Sequence, residues 1–268
     1  ENNLMSSRIT FDSAYFYGTS KSKNRSVRGE IPANSPGFVV KAELPEPGLV
    51  LAQDLQLELE QQGLEVTEPP FTIPIANYTF PAKNTTRKTI YTHYSDPLSK
   101  IIQEINQQSN NFYAEQVFKS LSLFRYGLGT NRHSISIIRN FWKSKGLDVN
   151  QLFQSDGSGL SPTNAVSAAF FTSVMEYMYQ KSKNKEVFFK SLSIAGKTGT
   201  LAGVLKNTPL SGKVYAKSGT IARVRAYTGY IIDDNREWAF TIMVNNYNGN
   251  SWQALRKIEN LLVELCNQ

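Results

Sequence analysis

The chain has 268 residues, 40% hydrophobic and 19% charged, with a formal charge of +7. That length holds one large domain or two modest ones, and the balance of apolar and charged residues excludes a disordered polymer. The one cysteine, Cys266, excludes an intrachain disulfide and a CxxC pair; scattered Lys and Arg speak against nucleic acid, and no run is apolar enough to cross a membrane.

Residues 1–36 read as polar and turn-rich, with a solvated loop at Ser20-Lys21-Ser22-Lys23-Asn24-Arg25-Ser26. A strand is expected over 38–42, an amphipathic helix over 49–62 ended by Gly63, and a returning strand over 64–66. The proline-rich stretch from Pro69 to Pro81 marks a boundary between an α+β unit, residues 1–84, and a second unit, residues 85–268. In the second unit a strand is expected over 90–94. Asp96-Pro97 then caps a helix over 98–107, and two further helices follow over 112–124 and 132–144. A glycine-serine loop, Asp156-Gly157-Ser158-Gly159-Leu160-Ser161, precedes a long helix over 164–180. A turn-rich stretch to Gly212 leads into three strands, 213–220, 226–232 and 238–244, and a last amphipathic helix over 252–265. His93 and His133 stand far apart and read as surface or capping residues, so neither a metal nor a cofactor is expected.

Chemistry concentrates at Lys213-Val214-Tyr215-Ala216-Lys217-Ser218-Gly219-Thr220. Val214 and Ala216 alternate with Tyr215 and Lys217, so one face packs and the other presents Lys217. Gly219 lets a ligand backbone lie close to the strand edge. A cation, a hydroxyl and an open edge suit a peptide ending in a carboxylate. Lys197-Thr198-Gly199-Thr200 echoes the motif, but it precedes a loop rich in Gly, Asn and Pro, so Lys217 is taken as the strand lysine. Upstream, Ser109-Asn110-Asn111 stands at the junction of two helices. There it can project a hydroxyl and an amide into a cleft, or simply cap the second helix.

These motifs, in this order, resemble those of the D-alanyl-D-alanine carboxypeptidase/endopeptidase family, peptidase family S13 or class C low-molecular-mass penicillin-binding proteins. The matching stretches are residues 91–98, Ser109-Asn110-Asn111-Phe112-Tyr113-Ala114-Glu115, residues 156–161 and residues 214–220. The resemblance implies an α+β, β-lactamase-like domain of antiparallel sheet and helical cluster. It would be incomplete on its N-terminal side and preceded by the remainder of a smaller inserted domain. By the same resemblance, Ser109 shuttles a proton to the leaving amine and Asn111 holds the substrate amide. Lys217 supplies positive potential and assists Ser109. Ser218, standing where threonine is usual, Gly219 and Thr220 bind the substrate, with the Thr220 N–H in the oxyanion hole. Pro162 follows Ser161 where many relatives place arginine, so no arginine contact carries over.

The nucleophile departs from the pattern. The chemistry needs serine at the start of an apolar helix with lysine one turn on. The two S-x-x-K matches, Ser20-Lys21-Ser22-Lys23 and Ser182-Lys183-Asn184-Lys185, read as solvated surface. The expectation is a C-terminal portion whose nucleophile lies in a missing N-terminal segment of the same protein, with an exposed apolar cleft where that segment belongs. Peptidoglycan stem peptides would be the substrate, β-lactams covalent inhibitors of the complete enzyme, and the periplasm or cell envelope its location. A non-catalytic peptidoglycan-binding scaffold is the alternative.

Overall fold

The computed structural model describes residues 1–8, 13–19, 22, 24–40, 42–72, 89 and 91–267. It divides into two compact units, Glu1–Ile90 and Tyr91–Gln268.

The first unit holds a three-stranded sheet of β1 (Asn2–Ser7), β2 (Tyr15–Tyr17) and β3 (Ser26–Pro32), in the order β1-β3-β2. β1 runs parallel to β3 and β2 antiparallel to it. Gly29 makes the pairing possible: at φ 124°, a Cβ there would stand 2.2 Å from the Ser13 carbonyl oxygen. The helix α1 (Pro47–Gln61) buries none of its residues. Two expected strands do not form. Phe38 N–H closes a turn onto Ser35 O, and Leu64 N–H returns to Leu59 O at the end of α1, so each segment opens on a local bond rather than a ladder bond. Residue 41 lies outside the described residues.

The second unit builds a helical layer from α2 (Leu98–Gln108), α3 (Asn111–Tyr126), α4 (Asn131–Ser144), α5 (Ala168–Gln180) and α6 (Lys185–Ser191). Two short strands, β4 (Leu152–Phe153) and β5 (Ala165–Val166), pair with each other. The main sheet is antiparallel, in the order β6 (Ser193–Ile194), β7 (Val214–Ile221), β8 (Val224–Asp233), β9 (Arg236–Asn245). α7 (Ser251–Cys266) packs back on it, opened by a reciprocal cap between Asn250 and Gln253.

The period-two alternation of β7 divides the apolar interior in two. Val214 and Ala216 enter one core with Tyr227, Ile231, Ile258, Leu262 and, from the long loop before β7, Leu201 and Leu205. Tyr215 packs from the other face against a second core of Phe170, Val174, Met175, Leu192 and Tyr230. Lys217 shares the Tyr215 face, the helical side of the sheet. Gly229 keeps β8 tight against β7, since a Cβ there would meet the Tyr215 carbonyl oxygen at 2.0 Å. An open groove of about 730 Å³ separates β9 from α7, lined in part by Ile242, Val244, Trp252 and Leu261.

Several expected boundaries move. Residues 91–94 form no strand, because Tyr91 and Tyr94 are both exposed and the run has no face to bury; Ile90 lies outside the described residues. Pro97 rather than Asp96 occupies the capping position of α2, and Asp96 pairs with Lys100 instead. α5 starts at Ala168, capped by Ser167, because Asn164 spends its side chain on the preceding loop. α6 was not expected; at seven residues it is too short to show a periodic stripe. Among the described residues no helix is long and apolar enough to cross a membrane, and no cluster of three or more His, Cys, Asp or Glu could hold a metal ion.

Candidate active site

β7 carries the first half of the site. β6 pairs with it only at Tyr215 and Ala216, so beyond Ala216 the β6-side edge has no strand partner among the described residues. Two backbone bonds show which way the strand faces: Ala195 N–H donates to Val214 O, towards β6, and Ile232 N–H donates to Lys213 O, towards β8. Strand alternation then turns the N–H and C=O groups of Ser218 and Thr220 to the open edge. Gly219 and Thr220 are exposed there. An extended peptide laid along that edge would meet the backbone of both residues.

The helix junction supplies the second half. Ser109 ends α2 in the left-handed conformation, φ 55° and ψ 44°, which turns the chain so that α3 starts at Asn111. Asn110, not Ser109, caps α3, accepting the Tyr113 N–H at 3.0 Å. Capping and projection therefore fall to different residues of the junction. The Ser109 Oγ accepts a hydrogen bond from Lys217 Nζ at 2.9 Å. The end of α2 is held in place from the side: Asn106 donates to Ser191 Oγ at 2.7 Å, and Gln107 donates to Leu192 O at 3.3 Å. Asn111 is exposed at the first position of α3.

Lys217 joins the halves. Its Nζ donates to Ser109 Oγ and, at 2.5 Å, to the Ser218 carbonyl oxygen. Burial lowers its pKa from 10.5 to about 8. At pH 7 the amine is still protonated by about ten to one, so the site holds a partly desolvated cation. Because Ser109 Oγ accepts from this cation, its own hydrogen is free to point elsewhere.

The loop at 156–161 braces α3. The Gly157 N–H donates to Glu115 Oε2 at 2.7 Å, and a Cβ on Gly157 would run into Phe118. Burial pushes the Asp156 carboxyl up, but hydrogen bonds from Asn164, Ser161, Gly159 and Ser158 outweigh it and hold its pKa below the usual carboxylate range. That is the signature of a loop organiser. Sequence reasoning saw this loop but not Asn164, whose Nδ2 donates to both Asp156 Oδ1 and Ser161 O.

The S-x-x-K matches do not join the cluster. Lys185 stacks on the Tyr179 ring, Nζ 3.5 Å from its centroid, and Ser182 Oγ accepts the Asn184 N–H. Ser20, Lys21 and Lys23 lie outside the described residues. Lys197 is exposed, before a short turn of helix at Gly199–Leu201, while the neighbouring Thr200 approaches Ser218.

Known proteins resemble this chain in sequence and in fold. Residues 17–268 match the D-Ala-D-Ala carboxypeptidase 3 (S13) family. A D-alanyl-D-alanine carboxypeptidase from an Actinomadura species is 29% identical over 83% of this chain and 41% of its own. One from Haemophilus influenzae is 25% identical over 77% of this chain and 42% of its own. The chain thus spans about two fifths of the length of these relatives. Among solved structures, penicillin-binding protein 4 of Haemophilus influenzae in complex with a β-lactam superposes with a TM-score of 0.74 at 20% identity, over 95% of this chain and 59% of that one. A predatory endopeptidase of Bdellovibrio bacteriovorus, in complex with an immunity protein, superposes with a TM-score of 0.55 at 19% identity, over 87% of this chain and 58% of that one. The fold is that of the penicillin-binding proteins, an α+β arrangement of antiparallel sheet and helical cluster.

Proposed function

Since the chain belongs to the D-Ala-D-Ala carboxypeptidase 3 (S13) family, we propose that it forms part of a serine-type D-Ala-D-Ala carboxypeptidase or endopeptidase acting on peptidoglycan stem peptides in the cell envelope. The observation that carries this reading is the hydrogen bond from Lys217 Nζ to Ser109 Oγ. It joins two motifs far apart in sequence at the mouth of an open strand edge.

The residues divide the work as follows. The substrate peptide lies along the β7 edge, its backbone meeting Ser218 and Thr220, with Gly219 leaving room for close approach. The Asn111 amide holds the substrate amide from the other wall. The terminal carboxylate falls within the field of the Lys217 ammonium and receives the Ser218 hydroxyl. The Thr220 N–H faces the attacked carbonyl oxygen, where negative charge grows as the tetrahedral species forms. Ser109 donates its free hydrogen to the leaving amine and is reprotonated from Lys217, whose lowered pKa of about 8 suits exchange near neutral pH.

The attacking serine comes from polypeptide outside these 268 residues. Support lies in the positions of Ser182 and Lys185, which are engaged elsewhere at the end of α5. A fluorescent penicillin tests this directly. The chain alone is expected to take no covalent label, and a polypeptide that includes the S-x-x-K segment is expected to take it. Label on this chain alone would refute the assignment of the nucleophile. No label on the longer polypeptide would favour a non-catalytic peptidoglycan-binding module.

A further inference from the structure

The echo motif Lys197-Thr198-Gly199-Thr200 plays no part in the roles above, yet it is built against both walls of the groove. Its loop closes on itself and on β6: Lys197 N–H and Thr198 N–H both donate to Ile194 O, Gly196 N–H donates to Leu201 O, and Thr198 Oγ1 accepts the Ile194 N–H at 3.0 Å. Leu201 anchors it in the α7-side core at 1% exposure. Gly199, at φ 57°, is pressed against the end of α2: a Cβ would stand 2.6 Å from Gln107 O and 2.3 Å from Ser193 Oγ. This close approach brings the loop to within two residues of Ser109.

Thr200 is where the loop meets β7. The Ser218 hydroxyl donates to Thr200 Oγ1 at 2.8 Å, in an exposed position beside the open edge. The next polar neighbour of Thr200 Oγ1 is Ser193 Oγ at 3.5 Å. Lys217 points to the helical side of β7 and Ser218 to the α7 side, so the ammonium and this hydroxyl pair flank the edge from opposite faces.

From this arrangement we infer that Thr200 is a second hydroxyl ligand for the substrate's terminal carboxylate, acting as a pair with Ser218. The inference rests on the proposed peptide-binding role of the β7 edge and deepens it. A hydroxyl has one hydrogen to donate. The Ser218 hydrogen is directed at Thr200. A carboxylate is an acceptor with two oxygens, and its arrival draws both hydrogens to it, one from each residue. The pair's separation of 2.8 Å lets the two donors face the two oxygens of one carboxylate. A carboxamide offers the pair one acceptor oxygen in place of two, because its nitrogen is itself a donor. Thr200 therefore shares with Ser218 the selectivity for a free C-terminus, whereas a residue that only shaped the groove would change affinity for acid and amide alike.

The test uses the 268-residue chain and two probes, N-acetyl-D-Ala-D-Ala and its C-terminal carboxamide, with dissociation constants measured by calorimetry or NMR. Variants are Thr200→Val, which keeps shape without the hydroxyl, Thr200→Ser, and Ser218→Ala. Thr200 is exposed, so Thr200→Val is expected to keep its melting temperature. The expected result is a preference for acid over amide that falls about tenfold in Thr200→Val, as for loss of one hydrogen bond to a charged group, and returns in Thr200→Ser. If Thr200→Val keeps the full preference while Ser218→Ala loses it, Thr200 is not a ligand and the groove reading stands. If affinity for acid and amide falls together in Thr200→Val, Thr200 only shapes the groove and the inference is overturned. If the unaltered chain shows no preference for the acid, the groove reading fails and the inference with it.

Discussion

Replacing Lys217 by methionine separates what the lysine does for stability from what it does for binding. Its pKa is lowered from 10.5 to about 8 by burial. Between those two values the unfolded chain holds a proton that the folded chain has released. Folding stability therefore rises with pH across that window and is lowest below about pH 8, where both states are charged. The full shift corresponds to about 3 kcal/mol, and the part recovered between pH 7 and pH 9.5 is about 2 kcal/mol. Lys217→Met lacks the titrating group and fills much of the same volume. It is expected to be at least as stable as the parent chain at pH 7, with the advantage shrinking by about 2 kcal/mol by pH 9.5, while binding of N-acetyl-D-Ala-D-Ala is lost. Urea unfolding of both proteins at the two pH values measures this, and comparing them cancels the contribution of the tyrosines. An advantage that does not shrink with pH would show that the amine titrates normally, and the desolvated cation at the site would have to be given up.

Three other substitutions probe how the site is held. Gly199→Ala forces a Cβ against Gln107 O and Ser193 Oγ at a left-handed position; it is expected to cost at least about 2 kcal/mol in denaturant melts and to weaken peptide binding. Asp156→Ala removes the acceptor for Gly159 N–H, Ser161 N–H and Asn164 Nδ2, and a loss of about 2 kcal/mol is expected. Because the Asp156 pKa is lowered in the fold, its contribution is complete above the usual carboxylate pKa and disappears as pH falls through the lowered value; acid titration of the variant should lack that component. Glu259→Ala strands the buried Leu205 N–H, which donates to Glu259 Oε1 at 2.6 Å, and thermal melts are expected to show a loss of about 3 kcal/mol.

The second unit was the more legible in sequence. α3, α4 and α7 form within two residues of the expected bounds, and β7 to β9 follow the alternation of Val214, Ala216 and their partners. Lys217 could be chosen over Lys197 because it ends an alternating run, and only the fold shows that this points it at Ser109. The role of Thr200 was hidden, since it depends on a loop closing through Gly199 against Gln107. In the first unit the strands β1 to β3 escaped notice because their residues are largely polar and none is buried. The apolar run at 38–40 misled for the opposite reason: it has strand composition but pairs with no strand among the described residues.

The most direct test of the groove is an NMR titration of the ¹⁵N-labelled chain with N-acetyl-D-Ala-D-Ala. The account predicts that the amide signals of Ser109 to Asn111 and of Ser218 to Thr220 shift together, with one common dissociation constant. Shifts confined to one of the two stretches, or to neither, would contradict it.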